Sequence, residues 1–249
     1  LHIDIPARQA LETSSQQGKG VVLKWLNHYM LLRSLPKEQP LRPRSNLADT
    51  LITNGPGIGS SLTYSLIIDR HIAVRAICNS AQGVKVKQED GSEKDRDLKS
   101  LPSKLLWLLH PDVVPIFDSQ AWSAMTVVAR LAGKVPTPDE QSKKDANLNE
   151  YCTFLELHQR CFGELYDAID AIIGEEFSKI FDGAPRKNSG SITQEDAKRQ
   201  YANHVTVIDQ LLWHLGSEVP IEGCLTKRIR KEKTAQGHPL PLTTAEGRL

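Results

Sequence analysis

SLPSKLLWLLHPDVVPIFDSQAWSAM, residues 100–125, reads as two helices and the turn that joins them. Pro102 suits a first helical turn, where its missing N–H costs nothing, and Ser100 stands just before it as a candidate cap. Every residue from Leu105 to Leu109 is apolar, so the helix predicted over 102–110 is buried nearly all round. Pro115 then interrupts the chain. Asp118 follows, at the head of a second helix predicted over 119–132 that stops at Gly133. A helix apolar on every side needs other helices around it, and the rest of the chain supplies them.

Val21, Val22, Trp25, Leu26, Tyr29 and Leu32 recur at helical spacing until LPKEQPLRPR breaks the pattern with three prolines. Residues 46–53 and 60–77 read as two helices joined by NGPGIGSS. VKVKQEDGSEKDRDLK, residues 84–99, has the alternation of a short hairpin but the charge of a solvated loop, and the loop is the preferred reading. KVPTPDEQSKKDANL is a linker. A long helix over 149–173 stops at Gly174, and FDGAPRKNSGSITQED ends in two candidate capping groups, Thr193 and Asp196. A helix over 196–215 carries Val205, Ile208, Leu212 and Leu215 and stops at Gly216.

The pattern is all-α. Residues 1–133 and 149–233 form two helical regions packed as one compact monomer, with a flexible tail over 234–249.

Composition narrows the function. The chain has 249 residues, 39% of them apolar and 24% charged, as in soluble globular proteins. No apolar run is long enough to span a bilayer, and residues 1–20 lack a signal peptide's basic start and apolar core. The expected setting is the cytoplasm, without a membrane partner. The chain opens on Leu1 instead of Met, which points to trimming at its front. Cys78, Cys152, Cys161 and Cys224 form no CxxC pair and read as free thiols. Cys152, His158 and Cys161 lie on one helix among Phe154, Leu157 and Phe162, so packing is preferred to zinc. No metal or organic cofactor is expected. The net charge of +1 rules out a general nucleic-acid coat, so any such surface is local.

Two residues carry the chemistry. Lys104 is the only charged side chain between Lys99 and His110. Desolvation favours a neutral lysine amine, which is a nucleophile able to form Schiff bases. The simpler reading has Lys104 snorkel outward from a first turn. Asp118 is a favourable N-cap, and a carboxylate anchored there beside an apolar wall can also stabilise an oxocarbenium ion. Both roles fit one residue. Gln120, Trp122 and Trp107 lie nearby in sequence and could wedge or stack against a base. TKRIRKEK, residues 226–233, gathers Lys227, Arg228, Arg230, Lys231 and Lys233, which suits a phosphate backbone or a solvated terminal helix.

Over roughly residues 50–130 this pattern resembles the helix-hairpin-helix DNA glycosylase superfamily, in particular its 8-oxoguanine glycosylase-like members. There a lysine near the start of one helix is followed by an aspartate that caps the next, within a phrase such as apolar-Pro-apolar-apolar-Asp. VPIFD matches that phrase, with Lys104 and Asp118 in the matching places. The resemblance implies a helical glycosylase-like bundle, double-stranded DNA as partner, a flipped base in a pocket and cleavage of its N-glycosidic bond. Lys104 would be the nucleophile of a lyase, or water would attack instead. Stand-alone bacterial proteins of similar pattern include phage-defence enzymes that remove modified bases. A bulky modified pyrimidine is therefore the expected substrate, with a damaged purine as the alternative.

The pattern departs from the family in two respects. Asp118 lies 14 residues after Lys104, about one turn less than is usual. Lys99, 19 residues before Asp118, is nearer the usual spacing but sits in a charged run. The Gly-apolar-Gly motif of PGIG, Gly57 to Gly59, looks like the family's phosphate-gripping hairpin but precedes Lys104 by 45 residues. It is either a displaced grip or a plain turn. The competing class is a non-catalytic helical module that binds nucleic acid or a protein partner, in which Asp118 only caps.

Overall fold

The computed structural model describes residues 3–29, 31, 35, 43–81, 84–87, 91–95, 98, 100–134, 146–183 and 193–218. These form α1 (Asp4–Glu12), α2 (Lys19–His28), α3 (Pro43–Ile58), α4 (Ile67–Ala81), α5 (Leu101–Leu109), α6 (Ser119–Leu131), α7 (Ala146–Phe162), α8 (Tyr166–Gly183), α9 (Gln194–Tyr201) and α10 (His204–Glu218). The protein is all-α. No described helix is long and apolar enough to cross a membrane.

The preferred loop over 84–99 gives way to a small antiparallel hairpin, β1 (Lys85–Lys87) and β2 (Glu93–Asp95). Its register sets Lys85 opposite Asp95 and Lys87 opposite Glu93. Opposite charges at paired positions favour a ladder.

α5 is the axis. Leu101, Leu105, Leu106, Leu108 and Leu109 are almost wholly buried, in one core that draws residues from Ala7 to Leu212. The two helical regions read from the sequence share that core. Arg8 on α1 bonds Asp196 at 2.6 Å and Gln200 at 3.2 Å, both on α9.

Several boundaries differ from those the sequence suggests. α3 continues through Pro56 to Ile58. Proline has no N–H for the carbonyl four residues back, and the Ser14 hydroxyl donates to that carbonyl, Ile52 O, at 3.1 Å. The long helix predicted over 149–173 is interrupted by a 3-10 turn at Gly163–Leu165, and α8 runs through Gly174. The helix predicted over 196–215 divides at Ala202–Asn203. Thr193 caps α9 by accepting from Asp196 N at 3.0 Å, as expected, and Asn203 Oδ1 accepts from Thr206 N at 2.8 Å to open α10. Ser100 makes no side-chain cap to α5.

Gly216 is not a stop. It lies inside α10 where that helix crosses α6, and a Cβ there would sit 2.2 Å from Gln120 O. The two backbones meet at the very turn that follows Asp118. Gly174, by contrast, faces open space in α8.

Gly216→Ala therefore forces α10 off the head of α6 and should destabilise the protein by about 1–3 kcal/mol in urea unfolding, as overpacking does. Gly174→Ala should stabilise it by roughly 0.5–1 kcal/mol, the ordinary gain from removing a mid-helix glycine.

Candidate active site

The two ends of the 110–118 turn are held by different means. Ser103, fully buried, lies one residue before Lys104; its Oγ lies 3.1 Å from Phe117 O and accepts the Phe117 N–H at 3.2 Å. Phe117 lies one residue before Asp118. One serine thus fixes the spacing of the two side chains that follow it and its partner.

Asp118 caps α6 as predicted: Oδ1 accepts from Gln120 N and Ala121 N, both at 3.0 Å. Its other oxygen, Oδ2, lies 3.4 Å from Lys104 Nζ. The lysine does not snorkel. Its side chain is 13% exposed and that of Asp118 17%, so the pair is largely withdrawn from water without being sealed. The ammonium also lies 5.8 Å from the centroid of the Tyr29 ring, within cation–π range. Tyr29 is held in turn by Asp4 Oδ1, to which its hydroxyl donates at 3.1 Å. Asp4 also accepts from Trp25 Nε1 and from Tyr201 Oη, which lies 2.8 Å away. Burial and the nearby Asp4 raise the Tyr29 pKa, so its hydroxyl stays a donor.

Lys104 and Asp118 open into a cavity of about 580 Å³, whose wall includes Tyr29, Trp107 and Gln120. That volume lies within the range of small-molecule sites. Trp107 is fixed by its Nε1 donating to Thr206 Oγ1 at 3.3 Å. Trp122 is not part of the wall; its ring packs edge-on against Phe117, centroids 6.1 Å apart.

Gly57 and Gly59 do not form an amide grip. They lie at the C-terminal end of α3, where carbonyl oxygens face outward, and a phosphate is repelled by that end of a helix. The Gly59 amide is spent on Gly55 O at 2.7 Å, and the Arg70 guanidinium covers the carbonyls of Gly57 and Ile58. Lys99, Arg228, Arg230 and Lys231 lie outside the described residues. Among the described residues no group of three His, Cys, Asp or Glu could hold a metal ion, and His158 instead meets the Tyr166 hydroxyl at 2.8 Å.

The sequence predicts the helix that becomes α10 but not its part in the site: it brings Asp209, Gln210 and Trp213 to the cavity. Asp209 is 5% exposed and accepts the Ile116 N–H at 2.7 Å through Oδ2. Burial raises its pKa well above the usual carboxyl range; the Ile116 amide opposes that rise and the charge of Asp118 adds to it. A signal existed. Asp209 falls on the apolar stripe of Val205, Ile208 and Leu212, where a carboxylate has no solvent to face.

No protein-family model, curated protein or solved structure matches the chain. The assignment of function therefore rests on the geometry of this site.

Ser103→Ala removes the group that holds Phe117 and leaves a buried N–H without an acceptor. It should cost about 1–3 kcal/mol of unfolding free energy. The pH dependence of stability reports Asp209. A group whose pKa is raised by folding contributes stability at low pH that is lost as pH climbs through the folded value. Asp209→Asn should therefore gain stability relative to the wild type as pH rises from about 4 towards neutrality, the unfolded carboxyl titrating near the lower limit. Melting curves of the two proteins across that range measure the difference.

Proposed function

We propose that this protein is a DNA glycosylase that extrudes a modified or damaged base from duplex DNA and breaks its bond to the sugar. The observation that carries this reading is the approach of Lys104 Nζ to Asp118 Oδ2, 3.4 Å, at an aromatic-walled cavity of about 580 Å³. Asp118 has one oxygen tied to the α6 amides and the other paired with Lys104, and the residue lines the cavity in which a positive sugar would lie. A preorganised carboxylate stabilises an oxocarbenium ion without moving. As the C1′–N bond breaks, its electron pair leaves with the base. Lys104 passes a proton to the departing base and its freed amine bonds to C1′, giving after ring opening a Schiff base with the sugar. In a purely hydrolytic enzyme, water takes the place of the amine and Lys104 positions the strand.

The cavity is roomy enough for a base that carries a substituent, which supports a modified pyrimidine of the kind found in phage DNA, and with it a role in antiviral defence. The basic run at residues 227–233 supplies cations for the phosphate backbone.

The test is base release from DNA in which cytosines carry 5-substituents and from 8-oxoguanine duplexes. Asp118→Asn should lose release by a factor of roughly 10² or more, as with other preorganised groups. It should keep its fold and its DNA affinity, because Asn is also a competent N-cap. Borohydride should trap a covalent adduct with the wild type and none with Lys104→Gln. Release at the wild-type rate by Asp118→Asn would leave Asp118 as a cap and the chain as a helical binding module.

A further inference from the structure

One polar atom near the cavity has no role in the Lys104–Asp118 pair. Asp209 Oδ2 is engaged by the Ile116 amide, but Oδ1 is buried and has no hydrogen-bonding partner among the described residues. Anchoring Ile116 needs only one of the two oxygens. A buried acceptor or donor left unmade is costly, and such groups are rare in native proteins unless something else satisfies them. Four residues further along the same face of α10 stands Trp213, which lines the same cavity and is 50% exposed. A large aromatic ring left half in water beside an orphaned carboxyl matches a planar ligand with a polar edge.

We propose that Asp209 reads the ligand: its carboxyl, carrying a proton on Oδ1, donates to a carbonyl oxygen or ring nitrogen of a planar heterocycle that stacks on Trp213. This rests on the glycosylase reading, in which the heterocycle is the extruded base and Asp209 decides which bases the cavity retains. The proton belongs on Oδ1 because Oδ2 already accepts an N–H. The groups around Asp209 favour the neutral form. Asp118 lies on the α6 side, Tyr151 and Tyr166 on α7 and α8 sense its charge, and the nearby cation, Lys104, is paired with Asp118. Tyr29 and His28 complete the titratable wall.

The test uses the full chain and free heterocycles, so it does not depend on catalysis. Ligand-detected NMR measures binding of cytosine, which carries acceptors, and of indole, which stacks but carries none. Wild type, Asp209→Asn and Asp209→Leu are compared from pH 6 to 9. At pH 6 the Asn variant, which keeps a donor, should bind cytosine within about threefold of the wild type, and the Leu variant about tenfold or more weakly. Indole should bind all three alike. As pH rises the wild type alone should lose cytosine affinity; His28 is common to all three and cancels in the comparison.

Equal cytosine binding by Asp209→Leu, affinity that strengthens with pH, or a wild type that binds neither compound would overturn the proposal. Should Asp209→Leu fail to fold, the wild-type and Asn pH profiles decide alone, and parallel profiles overturn it. Base release is scored separately: a wild type that binds cytosine as described but releases no base sinks the glycosylase and not the reader.

Discussion

The hydrogen bonds between Ser103 Oγ and the Phe117 backbone are the constraint on which the site depends. They join the first turn of α5 to Phe117, the residue before the α6 cap, across 14 residues of sequence. Around them the turn is pinned at three successive positions: Ile116 by Asp209, Phe117 by Ser103, and Asp118 by the amides of Gln120 and Ala121. Each tether is one or two hydrogen bonds, and each bond is of modest net value. Together they leave the Asp118 carboxylate little freedom, which is what a group meant to meet a developing charge requires.

α10 completes the arrangement from the far end of the chain. Gly216 lets its backbone touch that of Gln120, so the helix carrying Asp209 and Trp213 lies directly over the head of α6. The close approach explains why a glycine stands in the middle of a helix, where it would otherwise only weaken it.

Much of this was legible in the sequence. The run from Leu105 to Leu109 announced a central helix, and VPIFD announced the cap that Asp118 makes. What stayed hidden is instructive in physical terms. Gly216 and Gly174 look alike in sequence, yet one marks a backbone contact and the other nothing, because close approach is a property of the neighbour. PGIG reads as a turn because Pro56 cannot complete a helix by itself; Ser14, far away in sequence, supplies the missing partner for Ile52 O. Asp209 had a signal in its place on an apolar stripe. Its meeting with Ile116, 93 residues earlier, had none.

Asp4 has a consequence for the order in which the protein takes shape. This carboxylate gathers Trp25, Tyr29 and, 197 residues away, Tyr201. Tyr29 is the ring beneath the Lys104 ammonium, so one wall of the cavity hangs from the first helix, and that helix is tied to α9. During synthesis the ribosome has delivered α5 and α6, with Lys104 and Asp118, long before α9 and α10 emerge. Contacts of such long range form late, after the entropy of closing the loop has been overcome. The amine and the carboxylate can thus come together early, while the chamber that would hold a ligand closes only when the last described helix arrives.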